Sequence, residues 1–155
     1  MNISPFLCMQ HLHIIHGRPS WSSAFIIAMV NGCGRFTPLR FEVSGEGDSL
    51  ACYAVATDIK TNQELKGPTI TMAMAKKEGW ATKAGSKWLT MPELMIRYRS
   101  AAFWGRLFAG DLLVGLQTQE EVIDVQTVKV SANVDELNAK VQSAPVIETE
   151  PDDLF

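Results

Sequence analysis

The spacing of apolar residues predicts alternating short strands and helices over the first 125 residues. The sequence QHLHIIH at residues 10–16 predicts a short strand with Leu12 and Ile14 on one face. The GRPS sequence at residues 17–20 predicts a turn into a largely apolar helix, and Ser20 is a typical N-cap residue. This part of the chain is therefore predicted to fold as strand, turn and helix.

Alternation of apolar and polar residues then predicts a hairpin. Residues 39–44 and 49–57 are its strands, the GEGD sequence between them is its turn, and residues 66–72 add a third strand. A short helix over residues 71–78 follows. The predicted fold class is α+β, with a small antiparallel sheet packed by helices.

One long helix is predicted in the second half of the chain. Thr90 and Glu93 have the spacing of a capping box, so the helix is expected to begin there and to end near Phe108. Thr118 and Glu121 repeat that spacing and predict another short helix. The apolar stripe of the long helix comprises Met91, Leu94, Met95, Tyr98, Ala101, Ala102 and Gly105.

Basic and aromatic residues lie together on the flanks of that stripe. At about 100° per residue, Arg99, Phe103 and Arg106 lie on one flank, and Arg97 and Trp104 lie on the other. Guanidinium groups pair with phosphates and flat rings stack on bases, which is what a sequence-tolerant single-strand binder needs. The alternative for the same residues is a structural helix that packs its apolar side inward and keeps its arginines solvated.

The charge distribution separates a basic segment from an acidic one, although the formal net charge is only -3. Residues 60–106 contain nine basic residues against three acidic ones, whereas residues 107–155 contain two against ten. Lys83 and Lys87 bring basic side chains to the loop before the long helix. A basic segment of this kind favours a polyanionic partner.

The length of 155 residues suits one modest domain, which we place at residues 1–125. Residues 126–155 are polar and acidic, and they predict a disordered tail. The final sequence EPDDLF is either a solvated end or a peptide ligand for a partner protein. In the second case the contacting residues are Asp152, Asp153, Leu154 and Phe155.

The sequence offers few candidate residues for catalysis or metal binding. Cys8, Cys33 and Cys52 are widely spaced, and they predict free thiols in a reducing cytoplasm. His11 and His13 share a face of the predicted strand, but no further ligand follows at zinc-site spacing, so a polar strand face is favoured. The sequence has no phosphate-binding loop, nucleophile elbow or zinc-protease motif. It has no apolar run long enough for a membrane span. We therefore expect no enzyme activity, no cofactor, no metal and no membrane contact.

Three segments of the sequence resemble the RecT/Bet family of phage recombination proteins, which anneal single-stranded DNA. They are GRPSWSSAFIIAMVNGCGRF at residues 17–36, FEVSGEGDSLACYAVAT at residues 41–57 and KWLTMPELMIRYRSAAFWGRLF at residues 87–108. QTQEEVID at residues 117–124 continues the match. The third segment is the most specific, because a tryptophan precedes a helix with regularly placed basic residues. Family members carry a further segment upstream of residue 12, which we expect this chain to lack.

The resemblance implies a RecT-like annealing core that binds and anneals single-stranded DNA without ATP during phage or prophage recombination, in the cytoplasm of a bacterial host. It also implies homo-oligomeric rings or filaments, and partners such as a phage exonuclease and host replication or recombination proteins. Trp88 and Phe103 are predicted to space or stack bases, and Tyr98 and Trp104 are assigned to packing. The phosphates are assigned to Lys83, Lys87, Arg97, Arg99 and Arg106.

Two further functions remain open from the sequence. The chain could be a truncated interaction protein that does not bind DNA and acts through oligomer contacts or its acidic tail. A metal-dependent nuclease would need a carboxylate cluster, whereas the basic segment contains only the well-separated Glu64, Glu78 and Glu93.

Overall fold

The structure is a computed structural model that describes residues 4–15, 17–82 and 84–124. Lys83, the predicted tail at residues 126–155 and its four predicted partner-binding residues lie outside the described residues. The elements in chain order are α1 (Pro5–His11), β1 (Leu12–Ile15), β2 (Arg18–Trp21), α2 (Ser23–Gly32), β3 (Arg40–Ser44), β4 (Ala51–Thr57), β5 (Glu64–Lys66), β6 (Ile70–Thr71), α3 (Met72–Lys77), α4 (Lys87–Thr90), α5 (Pro92–Phe108), α6 (Gly110–Leu113), β7 (Gln117–Thr118) and α7 (Gln119–Asp124).

The larger sheet confirms the predicted α+β architecture. Strands β3, β4 and β5 pair in that order, β6 also pairs with β4, and every pairing is antiparallel. The third predicted strand, residues 66–72, is divided between β5 and β6. Pro68 lies between them, and it cannot donate a ladder hydrogen bond because it has no backbone N–H. Helix α5 packs on β4 and gives this sheet its buried face.

A second sheet has the order β1–β2–β7, and it corrects the prediction at residues 17–20. The predicted turn is strand β2, which pairs antiparallel with β1 and parallel with β7. Ser20 is buried in this strand, and its hydroxyl donates to the carbonyl of His13 at 3.1 Å. Ser22 is the N-cap of α2 instead, since its side chain accepts from the backbone N–H of Phe25 at 3.2 Å.

The two histidines that were predicted to share a strand face belong to different elements. His11 is the last residue of α1, and its ring stacks on Phe25 with the centroids 4.9 Å apart. His13 lies in β1. Among the described residues, no group of three His, Cys, Asp or Glu side chains is placed to hold a metal ion.

Helix α5 ends at Phe108, as predicted, but its buried side is wider than the predicted stripe. Ile96, Ser100 and Trp104 are fully buried, whereas Met91 and Leu94 are exposed. The difference arises because α5 packs against both β4 and α2, so side chains outside a single stripe also lose contact with water. None of the described helices is both long and apolar enough to cross a bilayer.

The ends of α5 also differ in part from the prediction. Met91 precedes the helix without a side-chain capping bond, and Thr90 ends the short helix α4 instead of capping α5. Trp104 confirms its predicted packing role, since its indole N–H donates to the carbonyl of Leu65 at 2.8 Å and its ring meets Phe36 edge-on at 5.0 Å. The helix is therefore fastened to the sheet by a buried polar contact as well as by apolar packing.

Candidate functional site

Helix α5 places Arg99, Phe103 and Arg106 on one side, as their spacing predicted, and we call these three residues the arginine row. The guanidinium carbon of Arg106 lies 5.2 Å from the ring centroid of Phe103. Both arginines form ion pairs with the carboxylate of Glu121 on α7. Helix α7 lies over only part of the arginine row, so the two ends of the row have different surroundings.

Arg99 forms the buried end of the row. It is only 6% exposed, and it pairs with Asp124 and, at 3.4 Å, with Glu121. Its guanidinium carbon also lies 4.0 Å from the centroid of the Trp80 ring. The predicted phosphate role of Arg99 is therefore revised, because two protein carboxylates occupy the positions that phosphates would need.

Trp88 also belongs to this buried end. Its ring is fully buried, 5.4 Å from the ring of Trp80, and its indole N–H donates to Asp124 at 3.0 Å. A base cannot stack on a ring that the protein already covers on both faces, so the predicted base-stacking role of Trp88 is revised to packing. Together with Trp80, Trp88 fixes the position of the Arg99–Asp124 pair.

Glu121 joins the local structure of α7 to the arginine row. Its Oε2 atom accepts from the backbone N–H of Thr118 at 2.9 Å, and its own N–H donates to the Thr118 hydroxyl at 3.1 Å. This confirms the predicted capping box. The Oε1 atom of the same carboxylate faces Arg99 and Arg106. The second capping motif thus places two acids, Glu121 and Asp124, on one side of α7, and these are the site residues that the sequence assignment missed.

The two arginines of the row and the two acids of α7, Glu121 and Asp124, form a cluster with no net charge. Burial lowers the pKa of Arg99 and of Arg106, and the neighbouring Asp124 opposes the change at Arg99. Guanidinium groups stay protonated at neutral pH even when their pKa falls somewhat. The cluster therefore has two positive and two negative groups, and its buried part attracts an outside anion weakly.

Arg106 and Phe103 form the open end of the row. The Arg106 side chain is 41% exposed, and Phe103 is partly buried. With Pro68 and the exposed Leu107 they line a hollow of about 390 Å³, which we call the α5 hollow. It combines a cation that can contact a phosphate with an aromatic side chain that can contact a base.

The other predicted DNA-binding residues are not collected at this hollow. Lys87 is exposed at the start of α4. Arg97 lies on the opposite flank of α5, where it pairs with Glu93 at 3.1 Å. Of the predicted DNA-binding residues that the structure describes, Phe103 and Arg106 are the two that meet at an open surface.

A second cavity lies beyond the buried end of the row, and we call it the α7 cavity. Its volume is about 200 Å³. The loop at residues 84–86, the start of α4, one residue of α5 and one side of α7 surround it. The lining residues are Ala84, Gly85, Ser86, Lys87, Met95, Gln119, Glu120, Ile123 and Asp124.

No protein-family model matches the chain, and no curated protein and no solved structure matches it. The resemblance to the RecT/Bet family therefore depends on the sequence segments quoted above.

Proposed function

We propose that this protein binds single-stranded DNA and anneals complementary strands without hydrolysing ATP. The observation that carries the proposal is the α5 hollow, where the Arg106 side chain is 41% exposed and its guanidinium lies beside Phe103. A cation and an aromatic ring side by side suit a polyanion with flat bases.

Annealing does not require a catalytic group, because no covalent bond is made or broken. It requires that phosphate repulsion is reduced and that bases are presented for pairing. The similarity of residues 17–36, 41–57 and 87–108 to RecT/Bet proteins extends the proposal. On that basis the protein acts in phage or prophage recombination in the bacterial cytoplasm, as a homo-oligomer beside an exonuclease and host replication or recombination proteins.

The proposal is tested with an Arg106→Gln variant. Arg106 is on the open side of the row, and Arg99 still pairs with Glu121 when Arg106 is replaced. We expect weaker binding of a labelled single-stranded oligonucleotide, and a salt dependence reduced by about 0.7 in the slope of log affinity against log salt, as for one lost phosphate contact. Fluorescence anisotropy over a salt series measures both, and adding the complementary strand measures annealing.

Arg40→Gln is the matched control. Arg40 is an exposed, ion-paired arginine on β3, which pairs with Glu64 at 3.3 Å. Its side chain lies on the sheet face opposite Phe41, away from α5, because neighbouring residues of a strand point to opposite faces. Equal loss of affinity in the two variants would mean that binding depends on total charge rather than on the α5 hollow. Unchanged binding by Arg106→Gln would remove the hollow from the proposal.

A second candidate, an interaction protein that acts through self-association, is favoured by the surface around β1. Ile14 is 74% exposed, and Phe6 and Met9 on α1 are also exposed. Strand β1 lies at an edge of its sheet and contains no charged residue of the kind that usually protects an edge. Sedimentation velocity of the same sample separates the candidates, since an associating chain without salt-sensitive DNA affinity would support the second.

A further inference from the structure

The α7 cavity and the α5 hollow lie on the same side of α5. One side of α5 carries four residues at successive intervals of four, four and three positions, a spacing that keeps side chains on the same side of a helix. They are Met95, Arg99, Phe103 and Arg106. At 1.5 Å per residue, Met95 and Phe103 are about 12 Å apart along the axis. A bound strand that contacts the hollow reaches the cavity by passing over α7, which covers Arg99 between the two.

The lining of the α7 cavity is chemically mixed. Met95 and Ile123 contribute apolar walls, and Lys87 contributes an ammonium group. Two carboxylates also line the cavity, and an ionised carboxylate accepts hydrogen bonds but donates none. Glu120 accepts from the hydroxyl of Ser23 at 2.6 Å, and Asp124 accepts from Trp88 at 3.0 Å, so both carboxylates are held in place.

We propose that the α7 cavity accepts one unstacked base of the bound single strand and prefers cytosine to thymine. This inference rests on the proposed single-strand binding. The flat faces of a base suit the walls formed by Met95 and Ile123, and Lys87 contacts the adjoining phosphate. Cytosine presents an amino donor to the carboxylate of Glu120, whereas thymine presents a carbonyl acceptor at the same position. Two acceptors that face each other repel, so thymine is disfavoured.

The experiment compares the affinity of the full chain for oligo(dC) and oligo(dT) of equal length. We expect oligo(dC) to bind more tightly by roughly fivefold or more, as for one specific contact to a base edge. Glu120→Gln should lower the affinity for oligo(dC) and leave that for oligo(dT) unchanged or slightly higher. Equal affinities of the unmodified chain for the two oligonucleotides would overturn the proposal.

Glu42→Gln is the matched control for charge. Glu42 is exposed on β3, in the larger sheet, and its replacement also removes one negative charge. A general electrostatic effect raises the affinity for both oligonucleotides in both variants. A specific effect at the cavity lowers the affinity for oligo(dC) in Glu120→Gln alone. Whether Glu120→Gln raises or lowers the affinity for oligo(dC) therefore separates the two explanations.

A second variant fills the cavity instead of changing its charge. Ile123 lines the cavity and is itself partly exposed, so Ile123→Trp can occupy the space without emptying the core. We expect the preference for oligo(dC) to disappear while the salt dependence of binding stays. A preference that persists in both Ile123→Trp and Glu120→Gln would contradict the proposal.

Free deoxycytidine monophosphate separates this inference from the proposed function. Its binding is followed by NMR through the methyl resonance of Met95. A chain that binds the mononucleotide but no oligonucleotide would support the cavity and contradict the proposed function. A chain that binds neither overturns both, and one that binds both oligonucleotides equally and ignores the mononucleotide overturns the cavity alone.

Discussion

The two ends of the arginine row show how one residue type serves two purposes on one helix. Arg99 and Arg106 are seven residues apart, and both pair with Glu121. Arg99 is enclosed by Trp80, Trp88 and Asp124, whereas Arg106 keeps 41% of its side chain exposed beside Phe103. The element that covers an arginine, rather than its position in the helical pattern, decides whether it supports the fold or can contact a ligand.

The energetic consequences also differ between the two ends. A buried ion pair contributes little net stability, because desolvation offsets the attraction, but loss of one partner leaves a buried charge uncompensated. At the open end the Arg106 side chain is 41% exposed, so water solvates part of it, and its replacement still leaves the buried Glu121 paired with Arg99. Substitutions at the buried end should therefore change the free energy of unfolding, and substitutions at the open end should change binding.

The largest effect is expected for Asp124→Asn. The substitution leaves Arg99 with one carboxylate, Glu121 at 3.4 Å, and weakens the acceptor for the indole of Trp88. We expect the free energy of unfolding to fall by about 3–5 kcal/mol, as when one partner of a buried pair is removed. Urea unfolding followed by tryptophan fluorescence measures it.

Glu93→Gln is the control for this prediction, because it removes a carboxylate from the exposed pair with Arg97. Its expected effect is about 0.2–1 kcal/mol. If both substitutions destabilised the protein equally, the contrast between a buried and an open ion pair would be incorrect.

A smaller effect, on binding, is expected for Phe103→Leu. Leucine keeps the apolar contact with the core and removes the ring from the α5 hollow. The affinity for single-stranded DNA should fall by about 1–3 kcal/mol, the range for one stacked base. Anisotropy titration measures the affinity, and Phe108→Leu is the matched control, since Phe108 is a partly buried aromatic residue of the same helix. Equal losses in the two variants would argue against stacking at Phe103.

The smallest effect is expected for Arg97→Gln. Arg97 lies on the opposite flank of α5 and pairs with Glu93 at the surface. We expect the free energy of unfolding to change by about 0.2–1 kcal/mol and the salt dependence of DNA binding to stay the same. A salt slope reduced as much as in Arg106→Gln would instead extend the contact surface to both flanks, as the family resemblance implied.

The sequence predicted the features that depend on nearby residues. The hairpin of β3 and β4, the end of α5 at Phe108 and the capping box of Thr118 and Glu121 all follow from short-range patterns. The shared side of Arg99, Phe103 and Arg106 follows from helix periodicity alone.

The features that were missed depend on residues far along the chain. The burial of Arg99 comes from Asp124, 25 residues later, and no local pattern shows that α7 returns to α5. Strand β2 was predicted as a turn because Gly17 and Pro19 are typical turn residues, and its parallel partner, β7, is nearly a hundred residues away. The open and buried ends of the arginine row could not be distinguished for the same reason.

Because β2 pairs with β7, the smaller sheet can be completed only late in the synthesis of the chain. Ser20 pairs with Gln117, and the hydroxyl of Ser23 bonds to Glu120 across 97 residues. Loops of that length close at an entropic cost that no local contact offsets early in folding. During synthesis, the hairpin of β1 and β2 leaves the ribosome long before its third strand exists, so one edge of β2 stays open until translation has passed Thr118.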